Sequence, residues 1–146
     1  MSDFLTLKVD IIKNFGTPCA VVDLNVLEKN ISRVQKICDN AGLSNRPHIK
    51  THKSGEVARM QIDAGASGVT CQKLGEAEVM AAAGITDILI ATNLLGAAAS
   101  GALAALQSRI TLKVCADNAY SISAYCLLYT SPSPRDRTRS RMPSSA

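Results

Sequence analysis

The stretch RPHIKTHKS, residues 46–54, holds Arg46, His48, Lys50, His52 and Lys53 within eight positions. Three cations and two imidazoles are an unusual load for a segment whose start, PHIK, otherwise reads as a buried strand. Strand side chains alternate faces. Arg46, His48, Lys50 and His52 are therefore expected on one face, with Pro47, Ile49 and Thr51 on the other. Burial and neighbouring cations both disfavour the charged form of a lysine. A partly neutral amine is what Schiff-base chemistry requires, so Lys50 is the candidate nucleophile. The plain alternative is a lysine that snorkels from a strand end, with the histidines as hydrogen-bonded neighbours.

The elements that must position Lys50 follow a regular cadence. TPCAVVDL (17–24) is a short apolar run. Leu24, Leu27, Ile31, Val34 and Cys38 then recur at three- and four-residue steps, which predicts a helix. Asp23 or Asn25 can cap its start and Gly42 its end. PHIK is a strand candidate, and Ser54 can cap a second helix carrying Val57, Ala58 and Ile62 up to Gly65. GVTC (68–71), DILIA (87–91) and ITLKV (110–114) read as strands, and residues 74–83 and 97–107 read as helices. Strands about twenty residues apart, each followed by a helix, imply βα units and a parallel sheet. The pattern fits a closed barrel and an open sheet equally. Val69 and Cys71 should face the helices, and Thr70 and Gln72 the other side, beside Lys50. Lys50, Gln72 and Asn93 all fall at C-terminal strand ends, where the sites of α/β barrels lie.

The last stretch, CLLYTSPSPRDRTRSRMPSSA (126–146), has neither helical nor strand periodicity. CLLYTSPSPRD resembles the translation of a transposase-type sequencing adapter, and SRMPSSA the outer end of the same adapter. Residues 126–146 are therefore expected to be a non-native, disordered tail, and such scars are set apart from fold reasoning. Removing its four arginines and one aspartate takes the formal net charge from +4 to +1. The basic balance is then no sign of a nucleic-acid or membrane partner. Asp3, Lys8, Asp10 and Lys13 interrupt any leader-like apolar run near the start. Cys19, Cys38, Cys71 and Cys115 form no CxxC pair. They read as small core residues in a reducing cytoplasm rather than a zinc or redox site.

TPCAVVDLNVLEKNI, RPHIKTHKS and GVTCQKLGEAEVMAAAGITDILIATNL, taken together, resemble the N-terminal part of D-threonine aldolases and 3-hydroxy-D-aspartate aldolases. D-serine dehydratases of the eukaryotic type are close relatives. All are pyridoxal-phosphate enzymes of the alanine-racemase-like class. The resemblance runs from about Thr17 to Asp117, and the KANAYGHG-type motif of alanine racemases is absent. It implies a (β/α)8 TIM barrel of the alanine racemase N-terminal type, about half of it present in residues 24–125. Residues 1–23 would then contribute a segment and strand to a C-terminal β domain that is missing.

The same resemblance implies pyridoxal 5'-phosphate as cofactor, Lys50 as its Schiff-base lysine and Gln72 as a cofactor contact. Lys53 is expected to be a surface or helix-start charge, Glu76 a helix-start stabiliser and Asn93 a possible lining residue. A divalent metal is implied for the parent, with ligands beyond this chain. The implied reaction is cleavage of a D-3-hydroxy amino acid, such as D-threonine or 3-hydroxy-D-aspartate, to glycine and an aldehyde. The parent would be a monomer or homodimer, and the 146-residue chain itself inactive and poorly folded. D-serine dehydration or amino-acid racemisation is the alternative chemistry. A non-catalytic cofactor-binding barrel is the alternative class, disfavoured by the strand expected at TPCAVVDL.

Overall fold

The computed structural model describes residues 2–130. Three strands, β1 (Val69–Cys71), β2 (Asp87–Ile90) and β3 (Thr111–Val114), form one parallel sheet in the order β1-β2-β3. Val69 pairs with Ile88, and Ile88 with Leu112. The helices are α1 (Ser2–Phe15), α2 (Leu24–Asn40), α3 (Gly55–Asp63), α4 (Leu74–Ala82), α5 (Ala97–Gln107) and α6 (Ala119–Thr130). Every strand is followed by a helix, as the sequence cadence requires.

Local chemistry accounts for the helix ends. Asp23 accepts from the Val26 amide and starts α2, and Ser54 accepts from the Val57 amide and starts α3. Both satisfy amides that have no partner within the helix. Gly42, at φ +66°, closes α2 in the left-handed conformation that only glycine adopts without strain.

One face of the sheet packs against helices to make the core. Val69, Cys71, Ile88 and Ile90 are fully buried there, beside Met80 of α4 and Leu106 of α5. Thr70, Leu89, Asp87 and Lys113 fall on the opposite face by strand alternation. Val69, Cys71 and Thr70 therefore lie as the sequence predicts. The α2 stripe is only partly used. Leu27, Ile31 and Cys38 are half-buried, but Leu24 and Val34 are exposed. The buried residue of α2 is Gln35, which donates to Asp39 and the Gly65 carbonyl and accepts from Asn45.

Three expectations need correction. TPCAVVDL is not a strand: residues 16–23 run as an exposed irregular segment between α1 and α2. A strand exists only by pairing, and this run pairs with no described strand. PHIK is not a full strand either. Its pairing is a single parallel bridge from His48 to Thr70, and Ile49–Thr51 turn as a 3-10 helix. Finally, α6 carries helix through residues 126–130, the first part of the stretch expected to be disordered. Residues 131–146 of that stretch lie outside the described residues. No described helix is long and apolar enough to cross a membrane.

Candidate active site at the C-terminal strand ends

His48 decides where the first strand stops. Its Nδ1 accepts the backbone N–H of Lys50 at 3.2 Å. That bond caps the 3-10 turn at Ile49–Thr51, where the strand stops. Ile49 is drawn fully into the core, and Lys50 emerges at the C-terminal end of the sheet. It is exposed, and its amine makes no hydrogen bond or ion pair with any described residue. The burial expected around Lys50 is therefore not met.

Gln72 lies one residue beyond β1, and its Oε1 is 3.3 Å from His48 Nε2. Thr92, two residues beyond β2, donates its hydroxyl to the Gln72 carbonyl at 2.7 Å. Asn93 follows, with a buried Oδ1 that has no hydrogen-bond partner among the described residues. His48, Gln72, Thr92 and Asn93 thus gather around the Lys50 turn. The expected neighbourhood of Lys50, Gln72 and Asn93 holds at the level of strand ends. Thr92 and the His48–Gln72 contact were not anticipated. The hydroxyl at the next strand end was the available signal for Thr92.

The remaining basic residues disperse. Arg46 pairs with Asp87 at 2.8 Å, and Lys113 reaches the same carboxylate at 2.6 Å. Asp87 is the first residue of β2, so this cluster lies at the N-terminal end of the sheet, opposite Lys50. Partial burial pushes the Asp87 carboxyl up. The hydrogen bonds and charges of Arg46 and Lys113 outweigh that and hold it below its ordinary value.

His52 also leaves the expected face. Its Nδ1 accepts the Ser54 amide at 3.1 Å, directing the ring toward the start of α3. Burial pushes the ring below its ordinary value, against a smaller opposing contribution from the Gln61 side chain. Its Nε2 and the Gln61 Oε1 are both sealed from solvent without a hydrogen bond of good geometry.

Lys53, at φ +50°, is exposed and pairs with Glu76 at 3.5 Å. Glu76 accepts the Gln72 amide at 2.8 Å and the Lys73 amide at 3.3 Å. Desolvation raises the Glu76 carboxyl, but these two amides and then Lys53 bring it below its ordinary value. Lys73 has only donors on its side chain, so Glu76 alone serves the start of α4. Glu76 is thus a helix-start residue and Lys53 a surface charge, both as expected, while Glu78 is exposed.

Of the cysteines, only Cys71 is buried in the core. Burial and then the Glu76 charge push its thiol up to about 12, so it is an inert core residue. Cys19 and Cys115 are exposed, against expectation. No group of three or more His, Cys, Asp or Glu among the described residues can hold a metal ion.

Two cavities lie away from Lys50. One of about 260 Å³ lies at the N-terminal strand ends between Arg59, Gly68, Gly84 and Asp87. The other, of about 410 Å³, lies between Leu7, Ile11 and Ile12 of α1 and Thr17, Cys19 and Val21.

Residues 22–126 match the family profile "Alanine racemase, N-terminal domain". A D-threonine aldolase of Arthrobacter sp. is 39% identical over 114 residues, 78% of this chain and 30% of that protein. A D-threo-3-hydroxyaspartate dehydratase of Delftia sp. (strain HT23) is 48% identical over 85 residues, 58% of this chain and 22% of that protein. The crystal structure of D-threonine aldolase from Filomicrobium marinum superposes with a TM-score of 0.76 at 36% identity, covering 79% of this chain and 31% of that one. The chain thus spans under a third of the length of these relatives. The described βα units are part of a TIM-barrel-like fold, as the motifs implied.

Proposed function

The chain belongs to the alanine racemase N-terminal domain family, and on that premise we propose that the full-length protein is a pyridoxal-phosphate-dependent lyase of D-3-hydroxy amino acids. It cleaves substrates such as D-threonine or 3-hydroxy-D-aspartate to glycine and an aldehyde. The observation that carries this reading is the Lys50 amine. It stands at the C-terminal strand ends, exposed and unpaired among the described residues, two residues after His48, whose ring contacts the Gln72 side chain. The two relatives described above are a D-threonine aldolase and a D-threo-3-hydroxyaspartate dehydratase.

The donor set fits the cofactor's chemistry. Lys50 supplies a primary amine free to bond a carbonyl carbon. Gln72 supplies an amide for a polar ring substituent, and Thr92 steadies its backbone. Bound pyridoxal phosphate supplies an electron sink for bond cleavage next to the amino carbon. A divalent cation would assist at the substrate hydroxyl, held by residues outside those described. The substrate is a small D-amino acid.

Borohydride reduction of the cofactor-loaded full-length protein tests the assignment. The label should map to the peptide containing Lys50, and a label on Lys53 refutes the site. Incubation with D-threonine and D-3-hydroxyaspartate, with and without chelator, tests the reaction. Glycine plus aldehyde is expected, with loss of activity on chelation. Loss of the hydroxyl with no glycine would instead make the protein a dehydratase, the reading favoured by the 48% identity to the Delftia enzyme. Racemisation without cleavage would refute both lyase readings. With no strand at residues 17–22, nothing on that side of the chain speaks against a barrel that binds the cofactor without catalysis. Such a barrel would take the Lys50 label and turn over no substrate.

A further inference from the structure

The His48 ring bonds two groups of opposite polarity. Lys50 N–H can only donate, so His48 Nδ1 must be the acceptor in the 3.2 Å contact. A ring that accepts at Nδ1 carries no hydrogen there. Its hydrogen is then on Nε2, and the ring is neutral. Nε2–H in turn requires an acceptor, and the Gln72 atom placed 3.3 Å away is Oε1. A carboxamide held by its oxygen leaves its NH2 group free. That NH2 makes no hydrogen bond with any described residue, at the strand end where Lys50 emerges. The amide orientation of a glutamine is otherwise ambiguous. Here the obligatory donor on Lys50 propagates through the ring and fixes it.

We propose that His48 is a positioning residue: as a neutral ring with its hydrogen on Nε2, it caps the turn that bears Lys50 and holds the Gln72 carboxamide oxygen, so that Gln72 offers a donor to an acceptor oxygen on the bound ligand. The proposal rests on Lys50 and Gln72 forming the cofactor site. It assigns their relative placement to one side chain that touches no ligand itself. The backbone half of the role sets where the Lys50 stem leaves the sheet. The side-chain half sets whether Gln72 presents a donor or an acceptor.

The two halves can be separated by mutation. In His48→Asn, the amide oxygen can replace Nδ1 as cap, but nothing reaches Gln72. In His48→Gln, the longer amide can replace Nε2 as donor to Gln72, but the cap is lost. Pyridoxal-phosphate affinity of the cofactor-free full-length protein is measured by fluorescence, alongside the melting midpoint. His48→Asn should keep the midpoint and bind the cofactor about tenfold more weakly, the scale of one hydrogen bond. His48→Gln should lower the midpoint and, because the Lys50 stem is displaced with the cap, bind the cofactor more weakly as well, so the midpoint tells the two variants apart.

Independently of any variant, nitrogen-15 spectra of the cofactor-free wild-type protein should show His48 neutral with its hydrogen on Nε2. A hydrogen on Nδ1 would overturn the proposal, as would wild-type affinity in His48→Asn. A borohydride label away from Lys50 would refute the functional reading while leaving the His48 tautomer as found, so the two failures are distinguishable.

Discussion

Gly68→Ala should destabilise the protein by more than an added methyl group suggests. Gly68 sits just before β1 at φ +154°, a conformation that L side chains rarely adopt. Its new Cβ would lie 2.5 Å from the Asp87 carbonyl oxygen and 3.0 Å from Arg46 Cζ, with Arg46 Nη1 closer still. The arginine head is tied to Asp87 and cannot swing away without losing that ion pair. The carbonyl belongs to the first residue of β2 and is fixed by the pairing of Asp87 with Thr111. Relief therefore requires β1 to shift against β2. Backbone strain costs about 1–2 kcal/mol, and overpacking adds about 1–3 kcal/mol. The total, about 2–5 kcal/mol, is a large part of a typical net stability of about 5–15 kcal/mol. Gly84→Ala is the control: φ is +91°, and its Cβ would meet nothing within 4 Å. It should show the backbone cost alone. Urea titration of the full-length protein with each variant separates the two. With a slope of about 1–3 kcal/mol per molar, Gly68→Ala should lower the midpoint by about 1 M or more, and Gly84→Ala by roughly half as much. Equal midpoint shifts for the two would refute the claim that β1 and the Arg46–Asp87 pair leave no room.

Glu76→Ala removes the acceptor for two amides at the start of α4 and should cost about 1–2 kcal/mol, read as a lower urea midpoint; no change would show that water replaces it. Glu76 and Asp87 are both held below the ordinary carboxylate value, so their contribution is present above about pH 4 and is lost as pH falls through their lower folded values. Urea midpoints taken from pH 7 to pH 3 should fall, and the combined Glu76→Gln, Asp87→Asn variant should flatten that slope. Gly101→Ala lies inside α5, where its Cβ would meet nothing within 4 Å. It should stabilise by about 0.5–1 kcal/mol, and a lower midpoint would show that α5 needs the glycine for close packing.

The elements legible in the sequence are those whose signals are local and redundant. Residues 74–83 and 97–107 read as helices, against Leu74–Ala82 and Ala97–Gln107 in the structure. ITLKV alternates apolar and polar residues as half-covered strands do, and DILIA is a short apolar run of strand length. TPCAVVDL carried the same apolar signal and failed, because strand propensity describes fitness for a pleated surface and not the presence of a partner. PHIK failed for the opposite reason. A partner was available in β1, but after the single His48–Thr70 bridge the backbone turns as a 3-10 helix, with the Lys50 amide capped by the His48 ring. Neither failure is visible to a pattern count. One depends on distant chain, the other on a turn capped by a side chain.

That turn also explains why five basic side chains can stand together in sequence. They do not stand together in space. A strand rises about 3.3 Å per residue, so Arg46 is still near the N-terminal end of the sheet, where Asp87 neutralises it. His48 is spent on two hydrogen bonds. The turn at Ile49–Thr51 then reverses the alternation, sending His52 toward α3 and Lys53 to Glu76 at the start of α4. Each companion of Lys50 has its own partner, and Lys50 alone among the five cations and imidazoles has none for its side chain among the described residues. The apparent charge cluster is therefore a set of separate anchors that hold the turn in place around one free amine. A change at any anchor should move that amine before it changes the local charge, and for this reason a loss of cofactor binding in His48 or Lys53 variants needs the melting midpoint beside it to be interpreted.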